Sequence, residues 1–204
     1  MNPIRQKWEE RYNEETQPWD SGITPPEVVD FWQSSRRTQL PHQNLALDLG
    51  CGTGTNVAYL AALGLTAIGI ELSGNGLSIA QSRLPQIPKE HQSRIALIQA
   101  SVAAIPFQNL NCCYILDIGC LHNLPHKERP HYAAGVVSNL SPGGFYHLYG
   151  FDKLESPDEQ TEHGLGEDEV VTLLGDQMEA IYIEQANPAP NPCRWYLFRR
   201  RVSE

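Results

Sequence analysis

The sequence predicts an α/β fold built on a doubly wound, largely parallel sheet. Two observations carry this expectation. Apolar runs of strand length alternate with segments of helical period along most of the chain, the pattern of repeated strand–helix–strand units. Between Leu45 and Ser73 one such unit stands out, because the run LALDL breaks into Gly50, Gly52 and Gly54 before a helical segment and a second apolar run ending on Glu71. A length of 204 residues fits about one domain with a sizeable core.

Taken in order, Pro3 to Asn13 carries Ile4, Trp8 and Tyr12 four apart, which gives an amphipathic helix with one apolar stripe. Gln17 to Glu27 holds Pro18, Gly22, Pro25 and Pro26 and reads as a loop, yet it carries Trp19, an aromatic that must be pinned to the body or folded over a ligand. Val28 to Arg37 continues as a helix, and Leu45 to Leu49 is the first strand. Helices are expected from Asn56 to Ala62 and, capped by Ser73, from Gly74 to Leu84, with the strand Ala67 to Leu72 between them. The segment Gln86 to Gln92 reads as a surface connection.

Ile95 to Ala100 is the third strand, and Cys112 to Ile118, apolar almost throughout, is a central fourth strand. Lys127 to Leu140 is a helix broken near its start by Pro130, and the turn Ser141 to Gly144 leads into the strand Phe145 to Phe151, where His147 is structural. Lys153 to Gly166 reads as a mobile insertion, Glu167 to Leu174 as a helix, and Met178 to Gln185 and Arg194 to Arg199 as the last strands.

The glycine turn has a chemical meaning. Glycines let the backbone approach a ligand with no Cβ in the way, and the next helix offers its first N–H groups to an anionic group. An acid at the end of the second strand can accept hydrogen bonds from two ribose hydroxyls, so the unit suits a nucleoside. A dinucleotide fingerprint needs a glycine five positions after the first, where Thr55 stands; here the glycines occupy alternate positions, with Asp48 two residues ahead. A dinucleotide-dependent oxidoreductase and a non-catalytic cofactor-binding protein stay open as alternatives.

The form DLGCGTG closely resembles motif I of class I S-adenosylmethionine-dependent methyltransferases. The pattern W-x3-Y followed by PWDxGxxxP resembles the amino-terminal segment of the thiopurine and halide methyltransferase group and its bacterial, tellurite-resistance relatives, and DIGCLHNLP, Asp117 to Pro125 at the end of the fourth strand, resembles the wording that recurs there in the same relatives. The resemblance covers nearly the whole chain. It implies a Rossmann-like, seven-stranded mixed sheet with the last strand antiparallel, in a single domain: helix and lid over 1–42, cofactor-binding core over 43–151, and loop, helix and antiparallel hairpin over 152–204.

It also implies the cofactor S-adenosyl-L-methionine, with S-adenosyl-L-homocysteine as product. Its contacts would be Trp19, Asp48, Gly50, Cys51, Gly52, Gly54, Asn56, Glu71, Leu72, Ser101, Val102 and Asp117. An Asp commonly stands where this chain has Ser101, a departure that weakens the adenine contact. The acceptor side would take Tyr12, Trp19, His122 and Phe151, with His122 and Asp117 as catalytic candidates because ligands sit beyond the carboxyl ends of parallel strands. A histidine near neutrality would serve as general base for a hydroxyl, whereas thiolate, halide or a reduced chalcogen needs none.

A net charge of -9 argues against a nucleic-acid partner and favours a small-molecule acceptor. The five cysteines are odd in number and lack a CxxC pair, and no zinc spacing occurs, so reduced core thiols and no metal are expected. With no apolar h-region at the start and no run of membrane-spanning length, the expectation is a cytoplasmic protein, a monomer or weak homodimer, not bound to membrane.

Overall fold

The computed structural model describes residues 3–154, 163–187 and 191–202. The strands form one seven-stranded sheet in the order β3-β2-β1-β4-β5-β7-β6. This is the expected class, an α/β fold whose sheet is parallel except at its last strand. The chain divides into two compact units, one of 1–39 with 44–102 and the other of 40–43 with 103–204.

The first unit holds α1 (Pro3–Tyr12), α2 (Pro26–Gln33), β1 (Leu45–Leu49), α3 (Thr55–Ala62), β2 (Thr66–Glu71), α4 (Gly74–Arg83), α5 (Lys89–Gln92) and β3 (Ile95–Gln99). β1 pairs with β2, and β2 with β3, both in parallel. Leu47, Leu49, Val57, Leu60 and Ile70 fill its core. Gly69 leaves the room in β2 that this packing needs, since a Cβ there would lie 2.6 Å from Cys51 Sγ and 2.8 Å from Val57.

Two boundaries differ from the periodicity. The helix expected to reach Arg37 ends at Gln33, where Ser34 turns extended and its hydroxyl bonds the Phe31 carbonyl at 2.8 Å; Ser35–Gln39 follows as a 3-10 turn. The surface connection near Gln86 contains the one-turn helix α5, which Pro88 starts at its N-cap.

The second unit holds β4 (Cys112–Ile118), α6 (Arg129–Asn139), β5 (Leu140–Phe151), α7 (Glu169–Leu174), β6 (Met178–Asn187) and β7 (Cys193–Arg200). β4 and β5 run parallel, while β7 lies antiparallel between β5 and β6. Pro130 sits in the first turn of α6 rather than breaking it. The expected turn Ser141 to Gly144 lies inside β5, because an irregularity opposite Cys112 and Tyr114 absorbs the extra residues. Gly144 is needed there: a Cβ would stand 3.0 Å from the carbonyls of Cys112 and Cys113. His147 is fully buried and bonded on both nitrogens, by Tyr114 and Tyr182 hydroxyls at 2.8 Å each.

The expected insertion falls partly on residues 155–162, which lie outside the described residues, as do 188–190 of the later proline-rich loop.

Candidate active site

In the first unit, Asp48 stands one residue before the end of β1, and the chain turns through Gly50, Gly52 and Gly54 at φ of 74, 54 and 83 degrees. Three left-handed residues in alternate positions explain why the glycines stand two apart. The turn is tied to β2 by the N–H groups of Gly50 and Cys51, which donate to Ile70 O at 2.8 and 2.9 Å. α3 then starts at Gly54 with no side-chain cap, leaving the first turn's N–H groups for an anionic group.

Glu71, at the tip of β2, accepts from Gly52 N at 3.1 Å and Ser73 N at 2.8 Å through different oxygens, so each oxygen keeps a lone pair for a ribose hydroxyl. Burial pushes its carboxyl up, against the pull of those backbone bonds. Asp48 is buried beside Cys51, whose thiol is held well above its ordinary range by burial and then by the charges of Asp48 and Glu71. Cys51 is therefore a neutral packing group rather than a nucleophile. The Asn56 side-chain oxygen is buried with no hydrogen-bond partner. Leu72, Ser101 and Val102 follow the tips of β2 and β3.

This arrangement fits a nucleoside with a methionyl arm: a cradle free of side chains, a carboxylate at the second strand, an uncapped helix start and an unused amide oxygen.

Tyr12 and Trp19 belong to the same unit. Tyr12 is buried against the glycine turn, its hydroxyl 2.8 Å from where a Cβ on Gly52 would stand. Trp8, Tyr12 and Trp19 form an aromatic cluster with centroids 5.6 to 6.2 Å apart, and the Arg11 guanidinium lies 4.1 Å from the Trp19 ring. Sequence reading passed over Asp20 as an anchor. Its carboxylate accepts from Thr53 Oγ1 at 2.7 Å and Arg83 Nη2 at 3.0 Å, fixing the PWD loop to the glycine turn and to α4.

In the second unit the loop after β4 is built around Asp117. That residue was expected at the cofactor and in catalysis, but it is fully buried, and its oxygens accept from Cys120 N at 2.7 Å, Leu121 N at 3.1 Å and the Tyr132 hydroxyl. Burial lifts its carboxyl to about 6 although those bonds oppose the rise. The geometry gives it the work of holding the loop.

The same loop carries His122, buried, with its ring 4.9 Å from Phe151 and 5.0 Å from His163. Asn123 Nδ2, which donates to Gly119 O at 2.6 Å, lies 3.0 Å from Nε2, and the Phe151 N–H faces Nδ1 at 3.4 Å. A neutral imidazole accepts at one nitrogen only, so its tautomer decides which of these two donors it takes. Burial first, then His163 and Arg129, hold the imidazole down to about 3, far from the neutrality expected of it.

Arg129, which gave no sequence signal beyond helix charge, secures this loop. Fully buried, it donates to Leu124 O at 2.9 Å, Gly164 O at 3.0 Å and both Glu169 oxygens at 2.7 and 2.8 Å. Burial would raise the Glu169 carboxyl, but the Gly166 N–H and Arg129 outweigh it and lower it. No group of three or more metal-ligating side chains occurs among the described residues.

The family model for thiopurine S-methyltransferase matches residues 4–191. The chain belongs to that family of S-adenosylmethionine-dependent methyltransferases. It is 30% identical over 156 residues to an uncharacterized methyltransferase of Synechocystis sp., covering 72% of this chain and 68% of the relative. It is 25% identical over 158 residues to the 2-heptyl-1-hydroxyquinolin-4(1H)-one methyltransferase of Mycobacteroides abscessus, covering 77% and 66%. The chain spans between 24% and 68% of the length of the curated relatives it matches first. Among solved structures, the glycopeptide N-methyltransferase MtfA complexed with S-adenosyl-L-methionine superposes with a TM-score of 0.67 at 17% identity, covering 92% of this chain and 89% of that one, a likeness of fold. Among the described residues no helix is long and apolar enough to cross a membrane.

Proposed function

We propose that this protein transfers the methyl group of S-adenosylmethionine to a small-molecule acceptor. The observation that carries the reading is the cradle of the first unit, where three left-handed glycines run between the carboxylates of Asp48 and Glu71. S-adenosylmethionine supplies an electrophilic methyl on a sulfonium. The chain's residues bind and orient: Glu71 takes the ribose hydroxyls, Asp48 the ammonium end, the glycine turn with Asn56 the methionyl arm, and Leu72, Ser101 and Val102 the adenine. Tyr12 and Trp19 cover the site, and positioning in a dry pocket lowers the barrier.

On the acceptor side the reading keeps His122 and Phe151 as contacts and makes Asp117 the residue that sets their loop. With its imidazole held down to about 3, His122 is a poor proton acceptor near neutral pH. An acceptor whose nucleophilic atom arrives without its proton is therefore favoured: a thiolate, an acidic N-hydroxyl, a halide or a reduced chalcogen. The family's name and that of the mycobacterial relative, a thiopurine and a hydroxyquinolinone, fall within this class.

The test is release of S-adenosylhomocysteine across a panel of heteroaromatic thiols, N-hydroxyls, phenols, halides and oxyanions. Turnover is expected with the acidic thiols or N-hydroxyls and not with simple alcohols. Binding of the cofactor without turnover of any panel member overturns the catalytic reading in favour of a cofactor-binding protein.

A further inference from the structure

The amino-terminal helix is tied to the cradle by a contact that neither motif contains. The Glu9 carboxylate reaches the first turn of α4, where Oε1 accepts from Gly74 N at 2.9 Å and Oε2 from Asn75 N at 2.9 Å and the Ser73 hydroxyl at 2.7 Å. Asn75 Nδ2 answers by donating to the Glu9 carbonyl at 3.0 Å. Ser73 is the cap of α4, its oxygen accepting from Gly76 N at 3.2 Å, so Glu9 extends an existing cap with a charge supplied from another helix. Burial would raise this carboxyl, yet the bonds from Asn75, Ser73, Gly74 and Arg5 outweigh it and hold it at about 2.

Three residues on, and so on the same helical face, stands Tyr12. Its hydroxyl lies 2.8 Å from the place of a Cβ on Gly52, and its ring lies 2.9 to 3.2 Å from that of a Cβ on Gly76. Both glycines are thus required by one tyrosine, whose ring fills the space a side chain would take.

We infer that Glu9 is a positioning residue for the cofactor: by anchoring α1 on the start of α4 it sets Tyr12 against the glycine turn, and Tyr12 closes the nucleoside cradle. The inference rests on the cradle reading given above. Glu9 touches no cofactor atom in this scheme and acts through Tyr12 alone. The consequence is non-additivity, since once Tyr12 is gone Glu9 has nothing left to position.

The experiment is calorimetric titration of the full chain with S-adenosylhomocysteine, with tryptophan fluorescence as a second signal because Trp8 and Trp19 pack on Tyr12. Glu9→Ala is expected to weaken binding about tenfold and to abolish the cofactor-dependent fluorescence change. Glu9→Gln, which keeps one acceptor oxygen, should recover part of the affinity. In a Tyr12→Ala background, Glu9→Ala should add less than about twofold. If Glu9→Ala does not melt cooperatively, Glu9→Gln compared in the Tyr12→Ala and wild-type backgrounds carries the test. Full affinity in the Glu9 variants, or the same loss with and without Tyr12, overturns the inference while wild-type binding keeps the cradle reading intact. No heat with the wild type overturns the cradle reading, and this inference with it.

Discussion

Gly52 shows how much a single position decides. Its φ of 54 degrees is costly for any residue with a Cβ, on the order of 1 to 2 kcal/mol, and the new methyl would meet Tyr12 Oη at 2.8 Å. Gly52→Ala is therefore expected to fold with a stability loss of that size and to weaken S-adenosylhomocysteine binding by about tenfold or more, as calorimetry and urea titration would read. Asp117 makes a different prediction, one of pH. Its folded-state value, raised from 3.8 to about 6, means that the folded protein holds this proton more tightly than the unfolded chain does. The stability it contributes is complete below the unfolded value and is lost as pH rises through 6, a loss on the order of 3 kcal/mol. Asp117→Asn cannot ionise, so its melting temperature should gain on the wild type between pH 4 and 7; parallel curves would refute the assignment. Asp48 and Glu71 were readable as a pair from their places at strand ends. The enclosure of Asp117 was not, because it depends on a tyrosine fifteen residues away in α6.

At the scale of elements, the loop after β4, the stretch around Gly164 and the start of α7 are held together by one buried guanidinium. The Arg129 side chain is 1% exposed and that of Glu169 21%, so removing the acid leaves a buried cation facing carbonyls where the carboxylate had been partly open to water. Glu169→Ala should cost about 3 kcal/mol by urea denaturation, toward the low end for a broken buried pair because of that access. Glu169→Gln, keeping an acceptor, should cost less. A change within about 0.5 kcal/mol for both would mean that the carbonyls alone satisfy Arg129. The helix boundaries carry the same lesson in smaller form. The sequence extended α2 to Arg37, but the Ser34 hydroxyl competes for the Phe31 carbonyl and ends the helix; the run SPGG, with the family resemblance, made Ser141 to Gly144 a turn, but the pairing of β5 with β4 absorbs those residues into a strand.

For the molecule as a whole, ligand binding to the folded state alone gives a simple expectation. S-adenosylhomocysteine at a hundred times its dissociation constant should stabilise the protein by about 2.7 kcal/mol and raise its melting temperature, while a nicotinamide dinucleotide at matched concentration should leave it unchanged. A dinucleotide-induced rise in its place would return the chain to the oxidoreductase alternative. The sequence by itself determined the alternation of strands and helices, the glycine turn and the acids that flank it, because strand period, helix period and the steric freedom of glycine are properties of neighbours in the chain. Only the tertiary structure decided the insertion of β7 between β5 and β6, the grip of Glu9 on a helix start some 65 residues away, the pairing of Arg129 with Glu169 and the low basicity of His122. Each of these depends on burial and on hydrogen-bond partners brought together by folding, and partners so far apart leave no period in the sequence to read.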